Sequence, residues 1–97
     1  MLRISVITRA EDTTITLEGR VVGPWVDELR HCWQQLRVAG RPVRVDLDGV
    51  SFIDARGREL LGEMHADRAV LVTGDVMMRA VVDEIAARAP RPDRSAT

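Results

Sequence analysis

The apolar positions change period several times along the chain, and each change marks an element. From Leu2 to Thr8 they alternate loosely, with Leu2, Ile4 and Val6 sharing one side, as in a half-buried strand. Ala10-Glu11-Asp12 is a polar turn. Thr13 to Leu17 resumes the alternation with Ile15 and Leu17 inward, and its threonines favour extended backbone. So short a connection predicts an antiparallel hairpin. Gly19 to Gly23 is expected as a transition, and Pro24 suits the first turn of a helix, where its missing N–H costs nothing. From Pro24 to about Val38 the period is helical. Trp25, Val26, Leu29, Cys32, Trp33 and Leu36 fall within about 120° of arc, opposite a polar side of Asp27, Glu28, Arg30, His31, Gln34, Gln35 and Arg37. Gly40 and Pro42 stop this helix.

Val43 to Leu47 alternates again, Asp48-Gly49 carries a turn signature, and Val50 to Ile53 is a second short apolar run leading to Asp54. A second helix is expected from about Ala55 to Ala66, with Leu60, Leu61 and Met64 as its core stripe. Ala69 to Thr73 reads as a buried strand. Asp75 is placed to cap a third helix from Val76 to about Ala89, with Met77, Met78, Val81, Val82 and Ile85 inward. Strands alternating with helices imply parallel pairing and right-handed crossovers. The expected fold is a single α/β domain over 1–89, with four to five strands and three helices, opening on a hairpin and continuing as β-α repeats. Residues 90–97 are expected as a disordered tail.

Composition narrows the function more than the fold. The chain has 97 residues, 45% hydrophobic and 30% charged, which suits one globular domain. With only Trp25, Trp33 and Phe52 as aromatics, aliphatic side chains must fill the core. A net charge of −1 offers no broad footprint for nucleic acid. Cys32 is the single cysteine and can form neither an internal disulfide nor a metal site. The start shows no secretory pattern, and no stretch approaches a membrane span, so a cytoplasmic location is expected.

Candidate chemistry is sparse. Asp54 stands where a strand hands over to a helix, and its carboxylate suits the unsatisfied N–H groups of the first turn. Asp46 and Asp48 resemble paired acids, but alternation turns Asp46 outward and Asp48-Gly49 reads as a turn. His31 and His65 lie on polar helix sides without a companion at ligand spacing. No catalytic constellation, cofactor or metal is expected. The second helix is less ordinary. Ala55, Gly62 and Ala66 lie within about 40° of one another, with Glu59 beside them, and form a strip that a partner could approach closely. Arg56 and Arg58 flank the helix start, where the dipole disfavours cations, which suggests that they serve something else.

The run Val43-Arg44-Val45-Asp46-Leu47-Asp48-Gly49-Val50-Ser51-Phe52-Ile53-Asp54 resembles the strand and approach of the STAS domain, shared by sulfate transporters and bacterial anti-sigma-factor antagonists. Ile15-Thr16-Leu17-Glu18-Gly19 and Leu71-Val72-Thr73-Gly74 are similar to the family's second and later strands. The resemblance spans about Met1 to Ile85. It implies a small α/β domain that binds a serine-kinase-type anti-sigma factor and is switched off by phosphorylation of the serine after the aspartate. Here the family's Asp-Ser-Ser-Gly-Leu reads Asp54-Ala55-Arg56-Gly57-Arg58, so the phosphoacceptor is replaced by alanine. The acidic residue that such antagonists often carry three after the second-strand glycine is Val22 here.

The expectation is therefore a non-catalytic, cytoplasmic, protein-binding module, with partner contacts through Asp54, Ala55, Arg56, Gly57, Arg58, Glu59 and Gly62. The alternative is a STAS accessory subunit of a lipid-transport ABC complex, bound to its ATPase subunit. No nucleic-acid binding and no membrane insertion are expected, and a homodimer is left open.

Overall fold

The computed structural model describes residues 1–88. The segment expected as a tail, 90–97, lies outside the described residues. The hairpin comes first: β1 (Leu2–Thr8) and β2 (Thr13–Val21) pair antiparallel, from Leu2 opposite Gly19 to Thr8 opposite Thr13, without a shift in register. Then α1 (Pro24–Ala39) leads to β3 (Val43–Ile53), α2 (Ala55–Ala66) to β4 (Val70–Val72), and α3 (Val76–Arg88) follows. The sheet has the order β1-β2-β3-β4, with β2–β3 and β3–β4 parallel.

Both crossovers step the same way across the sheet, so right-handed connections lay α1 and α2 over one face. Burial agrees. Ile15, Leu17, Val43, Val45 and Leu47 form one cluster with Val26, Leu29 and Trp33 of α1, Leu60, Leu61 and Met64 of α2, and Met78, Val82 and Ile85 of α3. Their neighbours on the opposite face, Arg3, Thr14, Thr16, Arg44 and Asp46, remain partly or wholly in water. Leu17, Leu29, Leu47 and Leu60 are fully enclosed, and each contributes about 2 kcal/mol through burial.

Several expectations are corrected. Gly19 to Val21 belongs to β2 rather than to a transition. Asp48-Gly49 is not a turn: β3 is one strand through Ile53. It holds an extra residue against β2 between the Thr16–Asp46 and Glu18–Gly49 pairs, and another between Gly19–Val50 and Arg20–Phe52. These bulges absorb the break in alternation. Gly49 is needed for close approach, since a Cβ there would lie 2.8 Å from Glu18 Cγ and 3.1 Å from the Leu17 carbonyl oxygen. The strand expected at Ala69–Thr73 covers only Val70–Val72 and forms the sheet's edge, with Val70 52% exposed. Met77 leaves the α3 stripe and is exposed. Val6 also leaves the core, because β1 extends beyond the cover of the helices.

Candidate functional site

Ile53 is the last residue of β3, and Asp54, still extended, sits at the N-cap of α2. Its Oδ1 accepts from the Gly57 N–H at 2.7 Å. Its Oδ2 accepts from the Gly23 N–H, just ahead of α1, at 3.0 Å. One carboxylate thus caps α2 and ties it to the β2–α1 connection. The N–H groups of Gly23 and Gly57, with a smaller contribution from Arg56, hold the Asp54 carboxyl below its usual range.

Gly57 lets α2 begin this close to the sheet. A Cβ there would lie 2.8 Å from Ile53 Cγ2 and 2.9 Å from the Val21 carbonyl oxygen. The Asp54 N–H donates to that same carbonyl at 3.0 Å. Three adjacent elements therefore converge on the start of α2, and the backbone there is held from several sides.

The expected contact residues separate on this scaffold. Ala55, Arg56, Arg58 and Glu59 are exposed, Asp54 is half-buried with both oxygens engaged, and Gly57 and Gly62 are buried. Gly57 acts through packing against the sheet, and Gly62 is enclosed between α2 and α3 rather than part of an open outer strip. The arginines do serve something else. Arg56 reaches Asp27 on α1 at 2.8 Å, and Arg58 reaches Glu84 on α3 at 2.8 Å, so α2 is linked to both neighbouring helices. Exposed ion pairs of this kind contribute about 0–1 kcal/mol each, so Arg56 and Arg58 can exchange Asp27 and Glu84 for a partner's carboxylates at little cost. Between α2 and α3 runs a groove of about 460 Å³, lined by Ala55, Gly62 and Ile85 and by the charged Arg58, Glu59, Glu63, Glu84 and Arg88.

The other sequence candidates remain apart. Asp46 Oδ1 accepts from the Asp48 N–H at 2.9 Å. Asp48 Oδ1 instead accepts from the Gly74 N–H at 2.5 Å and the Thr73 hydroxyl at 3.2 Å, which staples the β4–α3 loop to β3. No sequence spacing announces that staple, because its partners lie 25 and 26 residues away. Asp75 caps α3 as expected, accepting from the Met77 N–H at 3.2 Å. His31 is exposed beside Gln35, and His65 lies near the C-terminal end of α2. Burial, and secondarily Glu28, pushes the Cys32 thiol up, away from the reactive thiolate. Trp25 packs against the core, half-buried. Among the described residues no three His, Cys, Asp or Glu side chains gather as metal ligands, and no helix is long and apolar enough to cross a membrane.

No protein-family model matches the sequence, and no curated protein matches it. The fold does have counterparts among solved structures. The anti-sigma factor antagonist SpoIIAA, in its unphosphorylated form, is similar with a TM-score of 0.64 and 24% identity, over 100% of this chain and 90% of that one. A DUF3478-family protein with a SpoIIAA-like fold, from Shewanella loihica PV-4, gives 0.59 at 10% identity, over 93% and 81%. A structure of Mglu gives 0.59 at 24% identity. It covers 73% of this chain but only 19% of that one, so this chain spans about a fifth of its length. At these identities the likeness is one of fold: this chain has the SpoIIAA-like, STAS-type architecture.

Proposed function

We propose that this chain is a non-catalytic regulatory module of the anti-sigma-factor antagonist kind. It docks a protein partner through the start and outer side of α2 and is not switched by phosphorylation at position 55. The Asp54 clamp carries this reading. It commits both carboxylate oxygens to backbone N–H groups and so presents Ala55, Arg56, Arg58 and Glu59 on a fixed helix start. A docking surface benefits from that rigidity, because less freedom is lost on binding. The same engagement withdraws Asp54 from acid–base work, and nothing beside it supplies a nucleophile. Ala55 has no hydroxyl to accept a phosphoryl group. The regulatory-module reading is supported by the likeness of the fold to that of an anti-sigma factor antagonist.

Ala55→Asp puts a carboxylate at the exposed first position of α2, where a phosphoserine would place its charge. The helix dipole favours it, so the melting temperature should hold or rise slightly. Glu59→Arg reverses the charge at the mouth of the groove. Affinity for a kinase-type anti-sigma factor from the same cell should fall at least about tenfold in each variant, with normal melting. Unchanged dissociation constants in both would remove α2 as the docking face. Recovery of an ABC ATPase subunit instead of an anti-sigma factor would replace this reading with the accessory-subunit one. Stoichiometric phosphate on Ser51 in protein from the native cell would show that a phosphoswitch persists elsewhere.

A further inference from the structure

The two edges of the sheet are not alike. β4 is three residues long and so offers little to pair with. β1 is seven residues long, and its pairing with β2 is unbroken by any bulge. It has no proline, no glycine and no lysine, so a single charge is all it carries of the usual devices that discourage edge pairing. Its one charge, Arg3, lies 3.7 Å from Glu18 of β2 on the open face. Val6 and Ile7, on opposite faces, are 43% and 50% exposed.

The direction of the backbone groups follows from the two ends of the hairpin. The Met1 carbonyl accepts from the Arg20 N–H, and the Arg9 N–H donates to the Asp12 carbonyl. Odd-numbered residues therefore face β2. Alternation then turns the N–H and C=O of Leu2, Ile4, Val6 and Thr8 outward, where no described strand meets them.

We infer that this edge pairs with the β1 edge of a second copy of the chain, antiparallel and centred on Ser5, to make one continuous sheet through both molecules. This register alone engages every outward group. Leu2 pairs with Thr8 of the second copy and Ile4 with Val6, and by symmetry Val6 with Ile4 and Thr8 with Leu2. Each such pair exchanges both of its hydrogen bonds. On the helix side, Ile4 meets Val6 of the second copy and extends the apolar cover over the two residues that the helices leave partly exposed. On the open face, Arg3 stands opposite Ile7, and the two Arg3 residues are about 14 Å apart, so no like charges meet. A shift toward the N-terminus would leave Thr8 unpaired and, one step further, would set Arg3 against Arg3. The pairing uses the edge remote from α2, which contacts β3 and β4. The assembly would thus present two α2 faces at once.

Sedimentation across a concentration series, with cysteine cross-linking, tests this. The native chain should pass from monomer to dimer as concentration rises. Val6→Lys places a charge in the seam. Thr8→Pro removes an outward N–H without touching the β2 ladder. Each should weaken the dimer at least tenfold while the monomer melts normally. In a Cys32→Ala background, Ser5→Cys should oxidise to a covalent dimer, since the Cα atoms of such a central pair lie about 4.5 Å apart. Arg3→Cys should not cross-link. A chain that stays monomeric at its solubility limit would overturn the proposal. So would a dimer indifferent to Val6→Lys and Thr8→Pro, or cross-linking as ready at position 3 as at position 5.

Discussion

Two aspartates on or just after β3 do similar work with different consequences. Asp48 reaches from a bulge in the strand to the β4–α3 loop, using one oxygen for Gly74 and Thr73. Asp54 divides its two oxygens between elements, one for the helix it caps and one for the loop that starts α1. Asp48 is exposed, and loss of its staple would free one loop. Asp54 is half-buried, and the chain closes around it: Gly57 lies against Val21 and Ile53, and the Asp54 N–H is bonded to Val21. A side chain that joins two elements against a tightly packed backbone fixes a surface, whereas a side chain that pins a loop trims an end.

That contrast can be broken at its support first. Gly57→Ala would drive a methyl against the Val21 carbonyl and Ile53, and should destabilise the fold by about 1–3 kcal/mol. Chemical denaturation measures this, and an unchanged midpoint would mean that α2 can shift outward at no cost. Asp54→Asn should cost less than Gly57→Ala, because one acceptor remains while an amide N–H₂ faces a backbone N–H. Its effect should depend on pH. The folded carboxyl titrates below its usual 3.8, so its stabilisation is fully present above that value and is lost as pH falls through the lower folded value. The stability gap between the native protein and the Asp54→Asn variant should therefore close only in strong acid. A gap that stays constant down to the acid transition would show that the ionised form is not what the two amides hold. Asp48→Ala should be mildest, at about 0.5–1 kcal/mol. Its mark should be faster thermolysin cleavage ahead of Val76 and Met77, with the start of α2 undisturbed. Cleavage no faster than native would mean that the loop is held without the staple.

What the sequence makes legible follows from short-range pattern. The α1 and α2 stripes stand out because Leu29, Trp33, Leu60, Leu61 and Met64 are both apolar and helically spaced. Asp54 is legible as a cap because capping is local. Asp48-Gly49 misleads because its turn signature is also local, while β2, pairing Glu18 with Gly49 and Gly19 with Val50, holds that segment extended. The arginines are legible as misplaced but not as linked, since Asp27 and Glu84 are brought to them only by the packing of three helices. Gly62 looks open on a helical wheel because a wheel of one helix omits the neighbour: α3 lies alongside, and the glycine is buried. The exposure of Val70 follows from strand order, which places β4 at the edge.

The shared carboxylate of Asp54 also determines how the molecule breathes. Its two donors are 31 and 3 residues away in sequence, yet release of either leaves an oxygen of the same group unpaired. The start of α1 and the start of α2 are thereby joined into one cooperative opening unit. Their amide hydrogens should exchange with a common free energy, above that of the short β4 edge. A partner that grips only the α2 end would then also slow exchange at Gly23, on a loop it does not touch.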